Sequence, residues 1–357
     1  MSSATKTDLG VAAWPIDDAV VRLRVWGSDQ CFALPGPDDA GELTLGSSEA
    51  CSLALSDPSG RLSRQHARLA REAGRWVARD LASQNGLWLD GARRAKILLE
   101  PGSELGLGGL TLIADSPRLI ALHGFVARVL GWADARREAV DLAVRALRLA
   151  ATRHAALALC GESDGDLLAI ARGLHARVLG ADRSFVLCDP RRRAVDGASA
   201  PTGMLALAAA PGGSVVVWTK RLPRDFAQLT AAVREPRSRV QLIACGARPT
   251  ERGALVSAPI EIPPLAARAG ELDRLIDAYA DDAIAALAVA TPFTKVDRDW
   301  VRAHSASSLV EIEKGTARIV ALRAAGNVAR AASLLGMAHA SLGEWIGRRR
   351  LPAGTLR

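Results

Sequence analysis

From Val20 to about Ala114, apolar and polar positions alternate in short runs. Val21, Leu23 and Val25 interleave with Arg22 and Arg24, Leu43 and Leu45 flank Thr44, and Trp76 and Ala78 alternate with Val77 and Arg79. Turn-forming pairs punctuate these runs at Pro35-Gly36, Pro58-Ser59-Gly60, Ala73-Gly74, Asn85-Gly86, Asp90-Gly91 and Pro101-Gly102. A period of two with closely spaced turns predicts an all-β sandwich over residues 19–115. The polar residues 1–18 before it are expected to be disordered. From Ser116 the period lengthens. Leu119, Leu122, Phe125, Val126 and Val129, then Val140, Val144 and Leu147, space two helices. Apolar runs at 155–159, 215–218 and 240–245 predict buried strands alternating with helices, an α/β pattern. Beyond Ser307 the spacing is helical again. Leu309, Ile312, Ile319, Val320 and Leu322 form one stripe, and Leu342, Trp345 and Ile346 form another after Gly336.

Composition narrows the class. The chain has 357 residues, 49% hydrophobic and 24% charged, enough for two or three domains with their own cores. A net charge of +8 suits an anionic partner without naming one. The five cysteines are widely separated and have no metal-ligand spacing, so reduced thiols in a cytoplasmic protein are expected and no metal or other cofactor is implied. The first ten residues lack a secretory pattern, and no apolar run approaches the ~20 residues of a membrane span. A soluble, intracellular protein is expected.

The run at 155–159 leads into Gly161-Glu162-Ser163-Asp164-Gly165-Asp166-Leu167-Leu168. Strand, glycine-bearing loop and helix are the outline of a P-loop, which needs a closing Gly-Lys-Ser/Thr for phosphates and magnesium. Those places hold Asp166, Leu167 and Leu168. Gly161 through Arg172 resembles, without gaps, the same segment in the AAA+ domain of sigma-54-dependent enhancer-binding proteins. The run from Gly212 to Pro223 is similar to the family's Walker B strand, with Trp218 and Thr219 where the Asp-Glu pair belongs. Val240 to Arg248 looks like the next strand, with Ala247 at the sensing Asn. Pro263-Pro264-Leu265-Ala266-Ala267-Arg268 resembles the start of the helical lid. The sigma-gripping Gly-Ala-Phe-Thr-Gly-Ala loop is absent. The resemblance implies an AAA+-like (P-loop NTPase-like) domain over 116–300 without catalytic residues, a pseudo-ATPase.

In the sandwich, Leu45-Gly46, then Ser63-Arg64-Gln65-His66, then Gln84-Asn85-Gly86 resemble the forkhead-associated (FHA) domain, whose loops bind phosphothreonine peptides. By that resemblance Ser63 donates to phosphate, Asn85 holds the peptide backbone, His66 buttresses the Ser63 loop, and Gly46 and Gly86 serve turns. The family's main arginine falls on Ser47, so Arg61 or Arg64 is expected to supply the charge.

At the other end, Gly326-Asn327-Val328-Ala329-Arg330-Ala331-Ala332-Ser333-Leu334-Leu335-Gly336 resembles the Fis-type helix-turn-helix that closes enhancer-binding proteins, over 301–357. Groove-facing positions would be Ala338, His339, Ser341 and Glu344, with Arg330, Arg348, Arg349 and Arg350 better placed for backbone contacts, and Asn327, expected to cap the first helix, counted with the DNA-binding residues. Together the parts predict a multidomain protein: a cytoplasmic, bacterial transcription regulator that senses a phosphothreonine protein, binds double-stranded DNA as a homodimer or larger oligomer, and touches no membrane. Two other readings stand beside it, an adaptor for phosphoproteins without DNA binding and a protein that still binds ATP and engages sigma-54.

Overall fold

The structure is a computed structural model and describes residues 18–39, 41–153, 155–192, 198–235, 237–247, 259–352 and 354–355. The segment expected to be disordered, 1–18, lies outside the described residues except for Asp18. The chain divides into two compact units, one of 1–158, 173–244 and 252–260, the other of 159–172, 245–251 and 261–357.

The first unit begins with strands β1 (Arg22–Val25), β2 (Cys31–Ala33), β3 (Leu43–Gly46), β4 (Leu53–Ala54), β5 (Ala67–Glu72), β6 (Arg75–Asp80), β7 (Leu87–Leu89), β8 (Ala92–Arg94), β9 (Lys96–Leu98), β10 (Glu104–Leu107) and β11 (Leu110–Asp115). They form two sheets, β2-β1-β11-β10-β7-β8 and β4-β3-β5-β6-β9. Inward residues of both meet in one core that includes Leu23, Leu45, Leu69, Leu87, Leu105 and Leu112, all fully buried. Truncating one of these leucines to alanine costs about 2–5 kcal/mol.

The period-two pattern marks Arg24 as an outward, polar position, yet it is buried. The reason lies in the next two helices, α1 (Pro117–Leu130) and α2 (Arg137–Arg153). Arg24 bonds Asp115 through Nε at 3.1 Å and Asp141 of α2 through Nη1 at 2.6 Å, while the second Asp141 oxygen accepts from the Gly27 N–H at 2.7 Å. Arg148 of α2 donates to the carbonyls of Gly102 and Pro101. One arginine of the sheet's outer face and one of the helix therefore tie α2 to the sandwich.

There follow β12 (Leu157–Cys160), α3 (Asp164–Val178), β13 (Phe185–Cys188), β14 (Ser199–Ala200), α4 (Gly203–Ala209), β15 (Ser214–Trp218), α5 (Phe226–Arg234), β16 (Gln241–Gly246) and β17 (Ile260–Glu261). Their sheet has the order β14-β13-β15-β16-β12-β17, with β13 parallel to both β14 and β15. The stretch 189–203 reads as polar loop, yet Ser199 and Ala200 add a short strand beside Leu187 and Cys188. Two residues are too few to show a period.

The second unit carries α6 (Leu272–Leu287), α7 (Lys295–Ser305), α8 (Leu309–Ala325), α9 (Val328–Leu334) and α10 (His339–Gly347). Thr294 and Asp297 form a capping box at α7, and the buried Asp297 also holds Arg323 of α8 in a bidentate pair at 2.7 Å. Gly326 ends α8 with φ +71°, Asn327 caps α9, and Gly336 turns the chain at φ +62°.

Candidate functional site

The antiparallel ladder of β3 and β5 runs on past the strand ends. Ser47 N–H donates to the Ser63 carbonyl at 3.0 Å and Ser48 N–H to that of Arg64 at 3.1 Å, which sets Ser47 beside Ser63. Only glycine fits before them. A Cβ on Gly46 would lie 2.1 Å from the Arg64 carbonyl oxygen.

His66 is fully buried and joins two loops. Its Nδ1 accepts from the Ser63 N–H at 3.2 Å, so the ring hydrogen sits on Nε2, which lies 3.0 Å from the Gly86 carbonyl. Ser83 Oγ sits 3.0 Å from the same nitrogen, accepts from the Gly86 N–H and donates to Asp80. The 63–66 and 83–86 loops are thus fixed against one buried ring.

On the outer side, Ser63 Oγ accepts from the Gln84 N–H at 3.2 Å, leaving its hydroxyl hydrogen to donate elsewhere. The N–H groups of Arg64 and Gln65 have no protein acceptor among the described residues. Asn85 donates one amide hydrogen to the Arg61 carbonyl at 2.6 Å and keeps the other. Arg61 and Arg64 have exposed side chains; Arg61 Nε lies 3.3 Å from Ser59 Oγ. Asp57 organises the preceding turn, accepting from Ser59 Oγ and from the N–H groups of Ser59, Arg61 and Gly109. The Ser59 hydroxyl first, then these amides, draw its carboxyl down to about 2 against the opposing effect of burial. A hydroxyl, two free amides, an asparagine amide and two guanidinium groups on one edge make a site for an oxyanion.

Two residues of this edge carry no motif and are invisible to sequence reasoning. Trp88 is 43% exposed and donates its indole N–H to the Asn85 carbonyl at 2.9 Å. Arg93, opposite Trp88 in the β7–β8 ladder, lays its guanidinium over Gly86. The hairpin turn Asp90-Gly91 that sets their register is the available signal.

The loop after β12 is a different kind of place. Gly161 N–H donates to the Gly246 carbonyl at 3.0 Å, and Ser163 Oγ caps α3 by accepting from the Asp166 N–H at 3.2 Å. Asp166 faces the N-terminus of α8, accepting from Leu309 N–H at 3.1 Å and Val310 N–H at 2.9 Å. What remains is a cavity of about 80 Å³ lined by Gly161, Glu162, Ser163, Leu167, Arg268 and Ser308. Gly165 lies in the first turn of α3. Trp218 is buried at the end of β15 and Thr219 follows it half-buried, so that strand end presents no carboxylate.

On the C-terminal helices, Ala331, Ala332, Leu342 and Trp345 are buried, whereas Arg330, His339, Ser341, Glu344 and Arg348 are all exposed. Asn327 is committed to capping, its Oδ1 accepting from the Arg330 N–H at 2.9 Å. Glu344 and Arg348 form an i,i+4 ion pair. Arg318 and Arg349 lie over the Trp345 ring.

Residues 43–108 match the family model of the FHA domain, and with the sandwich around them they form such a domain. Among solved structures, the FHA domain of the CT664 protein from Chlamydia trachomatis is 26% identical, spanning 26% of this chain and 92% of that one at a TM-score of 0.23. FHA-1 of Rv1747 from Mycobacterium tuberculosis is 25% identical over 26% of this chain and 94% of that one, with a TM-score of 0.22. EmbR of Mycobacterium tuberculosis, solved with a low-affinity phosphopeptide, is 23% identical over 27% of this chain and 25% of that one, TM-score 0.23. No curated protein matches the chain.

Proposed function

We propose that the protein is a regulator that reads a phosphothreonine protein through its FHA domain and binds double-stranded DNA through α9 and α10, with a central domain that turns over no nucleotide. The observation that carries the first part is the donor set at Ser63. Its hydroxyl hydrogen is unspent, the Arg64 and Gln65 amides stand beside it, and Asn85 keeps a donor for a peptide carbonyl. A phosphate of about −1.5 to −2 charge takes such donors well. Ser47 replaces a guanidinium, and that loss of about 1.5–3 kcal/mol is offset in part by Arg61 and Arg64.

Calorimetry of the full chain against a phosphothreonine peptide library tests this. Peptides should bind only when phosphorylated, and Ser63→Ala with Asn85→Ala should weaken binding at least tenfold. A library without binders, or binders indifferent to both substitutions, would return the FHA fold to a purely architectural role.

For the central domain, the support is Asp166. In place of a lysine that would hold phosphates stands a carboxylate already bonded to α8, and the cavity of about 80 Å³ falls well below the ~300–1,000 Å³ of ordinary ligand pockets. The DNA reading rests on the unburied polar face of α10 and on the left-handed turn at Gly336 before it. A protein that binds phosphoproteins yet shifts no DNA would instead be an adaptor.

A further inference from the structure

We infer that Trp88 and Arg93 form a second contact on the recognition edge of the FHA domain, one that selects an acidic side chain flanking the phosphothreonine. The inference rests on the phosphothreonine reading and adds to it the sequence preference of the bound peptide.

Arg93 is positioned by the main chain. Gly86 is buried with φ +71°, and a Cβ built on it would lie 2.1 Å from Arg93 Nε and 2.8 Å from its Cζ. Glycine at this position therefore leaves the space in which the guanidinium rests. The β7–β8 register places Arg93 directly opposite Trp88, whose indole N–H holds the Asn85 carbonyl at 2.9 Å. On the other flank Trp88 faces Gly106, where a Cβ would stand 3.1 Å from that of Trp88. The ring and the guanidinium thus sit on the neighbours of Asn85, the residue that would hold the peptide backbone.

Charge says what the pair takes. Elsewhere on the sandwich Arg22 and Arg24 bind Asp115, Arg68 binds Glu42, and Arg79 and Lys96 share Glu72. Arg93 shares with Arg61, Arg64, Arg75 and Arg94 the lack of a carboxylate partner among the described residues, and what sets it apart is that its arm is laid down over Gly86, beside Asn85. A planar, permanently charged fork with open donors fits a carboxylate. A large aromatic surface, 43% exposed, beside that fork offers its face to the stem of the same side chain.

The test uses the full chain and a peptide library with one fixed phosphothreonine and random flanks. Selected peptides should carry Asp or Glu at one fixed offset. Fluorescence anisotropy on three labelled peptides, with an acidic residue, alanine or lysine at that offset, should give about tenfold tighter binding of the acidic peptide than of the alanine one, the size of one charge-assisted hydrogen bond. The ratio should fall below about twofold in Arg93→Ala and invert in favour of lysine in Arg93→Glu, with unchanged melting of both variants and phosphothreonine still required. Phosphopeptides that bind in a Ser63-dependent way with random flanks, or an acidic preference that survives Arg93→Glu, overturn the subsite and leave the phosphothreonine reading intact. If no phosphopeptide binds the wild-type chain, both readings fall.

Discussion

Asp57 shows how much a single half-buried carboxylate can organise. It collects a hydroxyl and three amides from Ser59, Arg61 and Gly109, and so ties the stretch leading into the Ser63 loop to the turn between β10 and β11. Gly108 in that turn has φ +60° and comes so close to Leu62 that a Cβ would lie 2.7 Å from its amide nitrogen. The folded-state value of Asp57, about 2, lies below the ordinary 3.8. A lowered value means the contribution is whole above about pH 4 and is lost as the pH falls through 2. The Gly109 and Arg61 amides should therefore stay protected from hydrogen exchange at pH 3.5 and open near pH 2, while in Asp57→Asn their protection should be weaker and flat across that range. Equal pH dependence in both proteins would show that another group governs the turn. The cysteines make a parallel case. Burial first, with nearby carboxylates after it, raises the Cys188 thiol to about 11, and burial raises Cys245 to about 12. Cys31 is the exposed one of the five, so alkylation of the native chain at pH 8 should mark Cys31 and spare the other four in a mass spectrum.

At the scale of elements, α8 is the instructive case. The first N–H groups of a helix lack internal partners, and here every one of the first three is answered, Leu309 and Val310 by Asp166 and Glu311 by the Ser308 hydroxyl. An anion at this end also meets the positive pole of the helix. Asp166→Ala should cost about 1–3 kcal/mol in urea unfolding and Asp166→Asn less. Asp166→Lys should be the worst of the three, and on the proposed reading of this loop as a P-loop without its lysine it should confer no ATP binding, because the N-terminus of α8 stands against residue 166. Nucleotide binding by that variant would show the site was merely unarmed. The sandwich is well legible in the sequence, since its strands bury one face and its turns require glycine or asparagine at named places. The meeting of Gly46, Ser63, His66 and Asn85 on one edge is legible only through the resemblance to the FHA domain. In the fold the continuation of β3 sets Ser47 beside Ser63, and the His66 ring joins that loop to the one bearing Asn85. The role of Asp166 is not legible, as its partners stand more than 140 residues away. Arg24 reads as a solvent-facing residue for a similar reason, and Trp88 and Arg93 stay hidden because cross-strand neighbours leave no motif.

For the whole molecule, the buried network about Arg24 makes the FHA domain one unit with α2 rather than a bead on a linker. Burial pushes the Asp141 carboxyl up, but the His123 hydrogen bond, the Arg24 charge and the Gly27 amide together leave it below its usual value. Removing one partner of such a pair costs about 3–5 kcal/mol. On the proposed DNA-binding reading, the exposed residues of α9 and α10 play unequal parts. Arg330 is exposed and has no acidic partner among the described residues, so its charge is available to a phosphate. Arg348 is already paired with Glu344. One short helix with so few cations binds weakly, and two copies on half-sites about one helical turn apart gain effective concentration. Titrations of the full chain on such a tandem site, from about 50 to about 200 mM salt, should show Arg330→Ala flattening the log–log slope by about 0.9 for each phosphate that Arg330 neutralises. Arg348→Ala should flatten it less. Glu344→Gln, which releases Arg348 and removes a repelling carboxylate, should tighten binding and steepen the slope. His339→Ala and Ser341→Ala should leave the slope unchanged and alter which sequence is preferred. Equal slopes for Arg330→Ala and the wild type would place the DNA-binding surface elsewhere, and absence of any shift at the lowest salt would leave the adaptor reading in its stead.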